Sequence, residues 1–244
     1  MRTILWFVKF LMYFFKVRKQ EKYYTDKLKE GTLTQEDTAH IDACVQSWAQ
    51  DMLVWAGAEW KVTGLENIPE NRAVLFTPNH QGNFDTPLLL SQLPRVCAMV
   101  AKKEMKKVPC VSGWMSLFDC VFLDRENARA AIASMTQVEN ILKSGRSVVI
   151  FPEGTRSKGE VQGEFKLGSM RPAIRNGIPI VPVAIEGTYK LMEANGGFIK
   201  PAKVKVRVLP PIETENMSKE ESQKLAELVS FQIQEARNVL KNEQ

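Results

Sequence analysis

The chain has 244 residues, of which 44% are hydrophobic and 25% charged; this suits one large domain, or a domain with a small attachment, and excludes a disordered chain. Four cysteines with no close pair (Cys44, Cys97, Cys110, Cys120) argue against a disulfide framework, and two histidines (His40, His80) without a C-x-x-C argue against zinc. The formal charge of +5 sits wholly at the N-terminus, where residues 1–30 hold eight basic side chains (Arg2, Lys9, Lys16, Arg18, Lys19, Lys22, Lys27, Lys29) against three acidic ones (Glu21, Asp26, Glu30).

That basic stretch is interleaved with Trp6, Phe7, Phe10, Tyr13, Phe14 and Phe15. The mixture points to an anionic bilayer surface rather than to nucleic acid. The apolar run Ile4 to Val17 has fourteen residues, fewer than the about 20 needed to span a bilayer. Lys9 interrupts it and no small-residue cleavage site follows, so a signal peptide fits poorly. On a helix Arg2, Lys9 and Lys16 fall seven apart and share one side. The segment therefore predicts a helix lying in the headgroup plane with its lysines reaching outward.

A polar stretch over 20–33 links this segment to a second predicted helix. Thr34 and Asp37 resemble a capping box, and Ile41, Val45, Trp48, Met52 and Trp55 recur at spacings of four and three on one face. Residues 1–62 are thus expected to form a two-helix interfacial segment, and 63–244 the main domain. Gly57, Gly64 and Pro69 mark the passage between them.

Further on, short apolar runs alternate with helical segments. Candidate strands are 73–77, 97–101, 120–123, 147–151, 180–185 and 204–209. Their continuous hydrophobicity suits strands covered on both faces. Asp85 or Thr86 is a candidate cap for one helix, Asn127 or a neighbour for a second and Ser218 with Glu221 for the last. The expected fold class is α/β: a mixed, largely parallel sheet between helices, preceded by an N-terminal two-helix membrane-association motif. In such sheets ligands gather at the carboxyl ends of the strands.

Chemistry-bearing residues stand at those ends. Asn79-His80-Gln81-Gly82-Asn83-Phe84-Asp85 follows the first of these strands. A carboxylate five residues after a histidine can hold one ring nitrogen as donor and free the other to accept a proton. The loop contains no serine, so the nucleophile would be a substrate hydroxyl. Phe151-Pro152-Glu153-Gly154-Thr155-Arg156-Ser157 offers a guanidinium fork, hydroxyls and a glycine for close approach. Glu153 would repel a phosphate and is read as orienting Arg156, the loop or a substrate hydroxyl. Leu123-Asp124-Arg125 adds a second guanidinium, which Asp124 would hold; Lys102-Lys103 also ends a strand, and its two ammonium groups either join the rim or are solvated, the usual fate of a charge run. Val181-Pro182-Val183-Ala184-Ile185-Glu186-Gly187 is mainly apolar and is read as wall rather than chemistry.

The ordered set resembles the glycerophospholipid acyltransferase family, which includes bacterial lysophosphatidate acyltransferases. H-x4-D is matched by His80 and Asp85, an arginine motif by 122–125, F-P-E-G-T-R-S by 151–157 and V-P-V by 181–183. The resemblance implies that His80 is a general base oriented by Asp85. It implies that Arg125 and Arg156, with Lys102 or Lys103, hold the acceptor's phosphate, and that Glu153, Gly154 and Thr155 shape the acceptor pocket. The implied donor is acyl-CoA or acyl-carrier protein, with no metal or other cofactor. The implied reaction acylates the sn-2 hydroxyl of 1-acyl-sn-glycerol-3-phosphate to give phosphatidate. Membrane lipids would be partners, at the cytoplasmic face of the cell membrane. An acyltransferase using glycerol-3-phosphate or another lysophospholipid, a silent lipid-binding protein and an acyl-thioester hydrolase are the rival readings.

Overall fold

The computed structural model describes residues 1–243. It opens with α1 (Arg2–Glu30) and α2 (Gln35–Ala56). The first helix does not stop near Val17. It runs on through the polar stretch for 29 residues in all, about 44 Å at 1.5 Å per residue. Nothing between Val17 and Glu30 breaks a helix: the stretch is rich in Arg, Lys, Gln and Glu and lacks glycine and proline. Gly31 ends it in the left-handed conformation at φ 66°. Among the described residues no helix is long and apolar enough to cross a membrane.

The capping box of α2 forms as expected, with the Thr34 hydroxyl accepting from Asp37 N–H and the Asp37 carboxylate from Thr34 N–H. Lys27 also pairs with Asp37, tying the end of α1 to the start of α2. Ile41, Val45 and Met52 are buried as their spacing predicts.

Seven strands follow among the described residues: β1 (Ala58–Thr63), β2 (Leu75–Pro78), β3 (Ala98–Lys102), β4 (Val121–Leu123), β5 (Val148–Val149), β6 (Ile180–Glu186) and β7 (Ala202–Val208). They form one sheet in the order β1-β7-β6-β2-β5-β3-β4. Every neighbouring pair is parallel except β6 with β7, so the sheet is mixed and largely parallel. β1 was not anticipated. It begins at Ala58, inside the stretch read as part of the helical segment, and adds to the sheet edge beside β7. Its burial alternates along Ala58-Glu59-Trp60-Lys61, the period-2 signal of a strand with one covered face.

The remaining helices are α3 (Asp85–Gln92), α4 (Val111–Leu117), α5 (Ala128–Lys143), α6 (Arg171–Ile174) and α7 (Lys219–Asn242). Asn127 caps α5 and the Ser218–Glu221 capping box opens α7. Asp85 does not cap α3. It is the helix's first residue, after Phe84, and its carboxylate is engaged elsewhere. The sheet has a core on each side. Phe76, Val181, Val183 and Ile185 pack with α2 and α3, while Leu75, Val148, Ile180 and Ala184 pack with α5 and α7. This two-sided covering is why the strands read as continuous apolar runs. Cys97 and Cys120 lie in the core, where burial pushes both thiols up to about 12.

Candidate active site

Five parallel strands, β6, β2, β5, β3 and β4, bring their carboxyl ends to one edge. His80 sits two residues past β2. The residues on either side of it sew the loop to β6. Asn79 Nδ2 donates to Ile185 C=O at 3.0 Å and Asn79 Oδ1 accepts from Ile185 N–H at 2.8 Å. Gln81 Oε1 accepts from Gly187 N–H at 2.8 Å. Asn79 and Gln81 are both fully buried, whereas the intervening His80 side chain keeps 18% of its surface exposed.

The imidazole is fixed from three sides. Its Nδ1 lies 2.7 Å from Asp85 Oδ2. Its ring stacks on Phe151, with centroids 3.9 Å apart and planes at 22°. Its own backbone is held by the loop after β5: His80 N–H donates to Glu153 Oε1 at 2.6 Å, and Ser157 N–H donates to His80 C=O at 2.8 Å. Asp85 is fully buried. Its Oδ2 also accepts from Gly82 N–H at 2.8 Å, and its Oδ1 accepts from the Thr188 hydroxyl. A histidine held this way at Nδ1 presents Nε2 to the adjoining space, the arrangement that lets an imidazole take a proton.

Glu153 orients the loop, one of the roles expected of it, but does not shape the acceptor pocket as the resemblance implies. It is buried beneath the site rather than lining it. Its second oxygen accepts from Gly163 N–H at 2.8 Å, so its carboxylate clamps the His80 loop to the 160s. Burial pushes its pKa up, against the pull of the two backbone donors. Gly154 and Thr155 do line the adjoining cavity.

That cavity has a volume of about 1320 Å³ and includes His80 in its wall. Lys102, Arg125 and Arg156 line it, as the sequence anticipates. Arg125 donates to Gly154 C=O, and Arg156 to the Asn83 side chain. Lys103 does not join them. It turns to Asp124 and Glu126, at 3.0 Å each. Asp124 thus holds Lys103, not Arg125. Val181-Pro182-Val183 is not cavity wall but buried sheet, pairing with β2 below the site.

Four features escaped sequence reading. Lys166 brings a further ammonium beside Arg125: a Cβ placed on Gly154 would lie 3.6 Å from Lys166 Nζ and 3.8 Å from Arg125 Nη1. Glu193 accepts from Asn83 N–H at 2.7 Å and stands 3.9 Å from Arg156. Thr188 supports Asp85. Behind it, Arg237 of α7 donates through Nε and Nη2 to Glu186 Oε2 at 3.1 and 3.0 Å, and Gln81 Nε2 donates to the same oxygen at 3.3 Å. Only Arg237 carried a sequence signal: it shares the apolar face of α7 with Val229, Ile233 and Leu240, where a cation requires a buried partner.

The other half of the cavity is apolar. Trp6, Phe10, Tyr13 and Phe14 of α1 face Trp48 and Met52 of α2, with Trp114 and Phe118 beyond. Trp6 Nε1 donates to Met52 C=O at 3.0 Å, fixing α1 in this wall. The opposite face of α1 carries Ile4, Leu5, Val8, Leu11, Met12 and Phe15, all exposed. Among the described residues no group of three or more His, Cys, Asp and Glu side chains gathers as a metal site would require.

Comparison with known proteins shows the family. The acyltransferase family model matches residues 59–186. A Saccharomyces cerevisiae 1-acyl-sn-glycerol-3-phosphate acyltransferase is 35% identical over 185 residues, covering 75% of this chain and 61% of that enzyme. A Borreliella burgdorferi protein of the same name is 30% identical over 178 residues, covering 73% of this chain and 71% of the relative. The crystal structure of the 1-acyl-sn-glycerophosphate (LPA) acyltransferase PlsC from Thermotoga maritima superposes with a TM-score of 0.79 at 27% identity, covering 100% of this chain and 99% of that one. With its motifs, its site geometry and these relatives in agreement, the chain belongs to the acyltransferase family.

Proposed function

We propose that the protein moves a fatty acyl group from acyl-CoA or acyl-carrier protein to the sn-2 hydroxyl of 1-acyl-sn-glycerol-3-phosphate, giving phosphatidate, while lying on the cytoplasmic face of a membrane. One observation carries the reading: a single cavity holds the free edge of His80, a cationic wall and an apolar wall. A lysophosphatidate has the matching three parts, namely a hydroxyl, a phosphate and an acyl chain. The names of the relatives agree with it.

In the proposed reaction the acceptor hydroxyl attacks the thioester carbonyl carbon while His80 Nε2 takes its proton. Asp85 holds the ring and stabilises the imidazolium. The tetrahedral adduct collapses, the C–S bond breaks, and the proton passes from His80 to the departing thiolate. Arg125, Arg156, Lys102 and the neighbouring Lys166 hold the phosphate. Arg156→Ala is expected to raise KM for the acceptor about tenfold or more, the loss of one charge-assisted hydrogen bond, with a smaller effect on donor KM. Equal turnover of an acceptor lacking the phosphate would refute these roles. Thiol release without any acceptor would point to a hydrolase instead.

The outward stripe of α1 is the proposed bilayer contact. Leu11 and Phe15 are 56% and 75% exposed, so replacing both by glutamate leaves the fold intact. Each is expected to contribute about 1.5–3 kcal/mol when buried in lipid. The double variant should therefore lose at least about tenfold in partition to anionic vesicles, read by sedimentation. Unchanged partition would remove the stripe from the membrane. Deleting α1 is a poorer test, because its other face walls the cavity.

A further inference from the structure

The cavity carries more cations than one acceptor phosphate engages. Beyond Lys102, Arg125, Arg156 and Lys166, it is also lined by Arg171 and Arg175 at α6. Facing them, Ile132 and Met135 of α5 complete the wall of the same cavity. This end opens to solvent: Arg171 is exposed and Ile132 is 68% exposed. Arg175 makes an ion pair with Glu139 at 2.9 Å while its side chain remains 61% exposed. Arg171 has no carboxylate partner among the described residues.

The donor of an acyl group has two incompatible ends. On one side of its thioester lies an alkyl chain. On the other lies a long pantetheine arm ending in a phosphate. With the thioester at His80, the two must leave in different directions. The α1–α2 half of the cavity is built of aromatic and thioether side chains, suited to alkyl chains and unable to solvate a phosphate. The α5–α6 end has an apolar wall for the methylene and dimethyl parts of the arm, and two guanidinium groups at the solvent mouth.

We infer that the groove between α5 and α6, with Arg171 and Arg175 at its mouth and Ile132 and Met135 along its side, binds the phosphopantetheine arm of the acyl donor. The inference rests on the reaction proposed above. It assigns to this groove the part of the donor that coenzyme A and a carrier protein have in common.

The test is steady-state kinetics of the full chain in lipid vesicles, with Arg171→Glu and with the milder Arg171→Ala/Arg175→Ala, both at exposed positions. Donors are an acyl-CoA, the matching acyl-carrier protein and an S-acyl-pantetheine without phosphate. KM for both phosphorylated donors should rise about tenfold, as expected for one lost charge-assisted contact, with acceptor KM held within about twofold. The preference for phosphorylated over phosphate-free donor should shrink by the same factor. Unchanged donor KM, or a rise in acceptor KM instead, overturns the assignment. A rise with acyl-CoA alone would place the adenosine phosphates there, and a rise with carrier protein alone would place the carrier's surface there; either overturns the shared-arm site. If the unaltered protein releases thiol but acylates no phosphorylated acceptor, the parent reading fails, and donor KM for thiol release still tests the groove.

Discussion

Replacing His80 by alanine should lower the rate of acyl transfer by about 10²–10⁴-fold, the usual contribution of a positioned general base. The fold should survive. Asp85, the buried partner, keeps the Gly82 N–H and the Thr188 hydroxyl, and the backbone bonds of residue 80 to Glu153 and Ser157 do not involve the ring. The loss should fall on kcat rather than on KM, because the proton is in flight only in the transition state. Stopped assays of phosphatidate formation, beside a thermal melt, would read both. Near-normal turnover by a folded variant would end the assignment of His80 as base.

Replacing Arg237 by leucine should be the most destabilising single change in the chain's last helix. The Arg237–Glu186 pair is 1% and 6% exposed. Removing the cation leaves a carboxylate buried without its partner, a situation that costs about 3–5 kcal/mol. Urea unfolding would measure it, and for a protein of this size the melting point should fall by roughly 2–4 °C per kcal/mol. The double variant Arg237→Leu/Glu186→Leu should recover much of the loss, since apolar residues replace a buried ion pair at little cost. It should not recover full activity, because Gln81 would still lack its Glu186 partner. A single variant as stable as the parent would show that the pair contributes nothing to holding α7.

The chemistry was more legible in the sequence than its supports. His80 and Asp85 are five residues apart, so their pairing is a local matter of one loop and one helix start. Arg125 and Arg156 follow apolar runs that could be recognised as strands, and parallel order then carries them to one edge. Thr188 and Lys166 gave no such signal. Each reaches the site through a long-range contact that nothing in its neighbourhood announces. Lys102 and Lys103 show the limit within a single dipeptide: both follow from position, but only contact with Asp124 and Glu126 decides that Lys103 turns away. The length of α1 is not legible from its apolar pattern, which stops before its helix-forming residues do. β1 was missed because a short alternating strand beside two glycines looks like a junction until β7 is there to pair with it.

The support of Asp85 has a consequence for the order of assembly. The histidine and aspartate leave the ribosome early, yet Thr188, Glu186 and Arg237 follow by more than a hundred residues. Contacts of such sequence separation form late, since a long loop must close before they can. A nascent chain that has formed only α1 to α3 therefore still lacks the hydroxyl that steadies its carboxylate. The buried support of Gln81 through Glu186 is complete only when Arg237 of the C-terminal helix docks, so a chain cut short in synthesis would have the motif without that support.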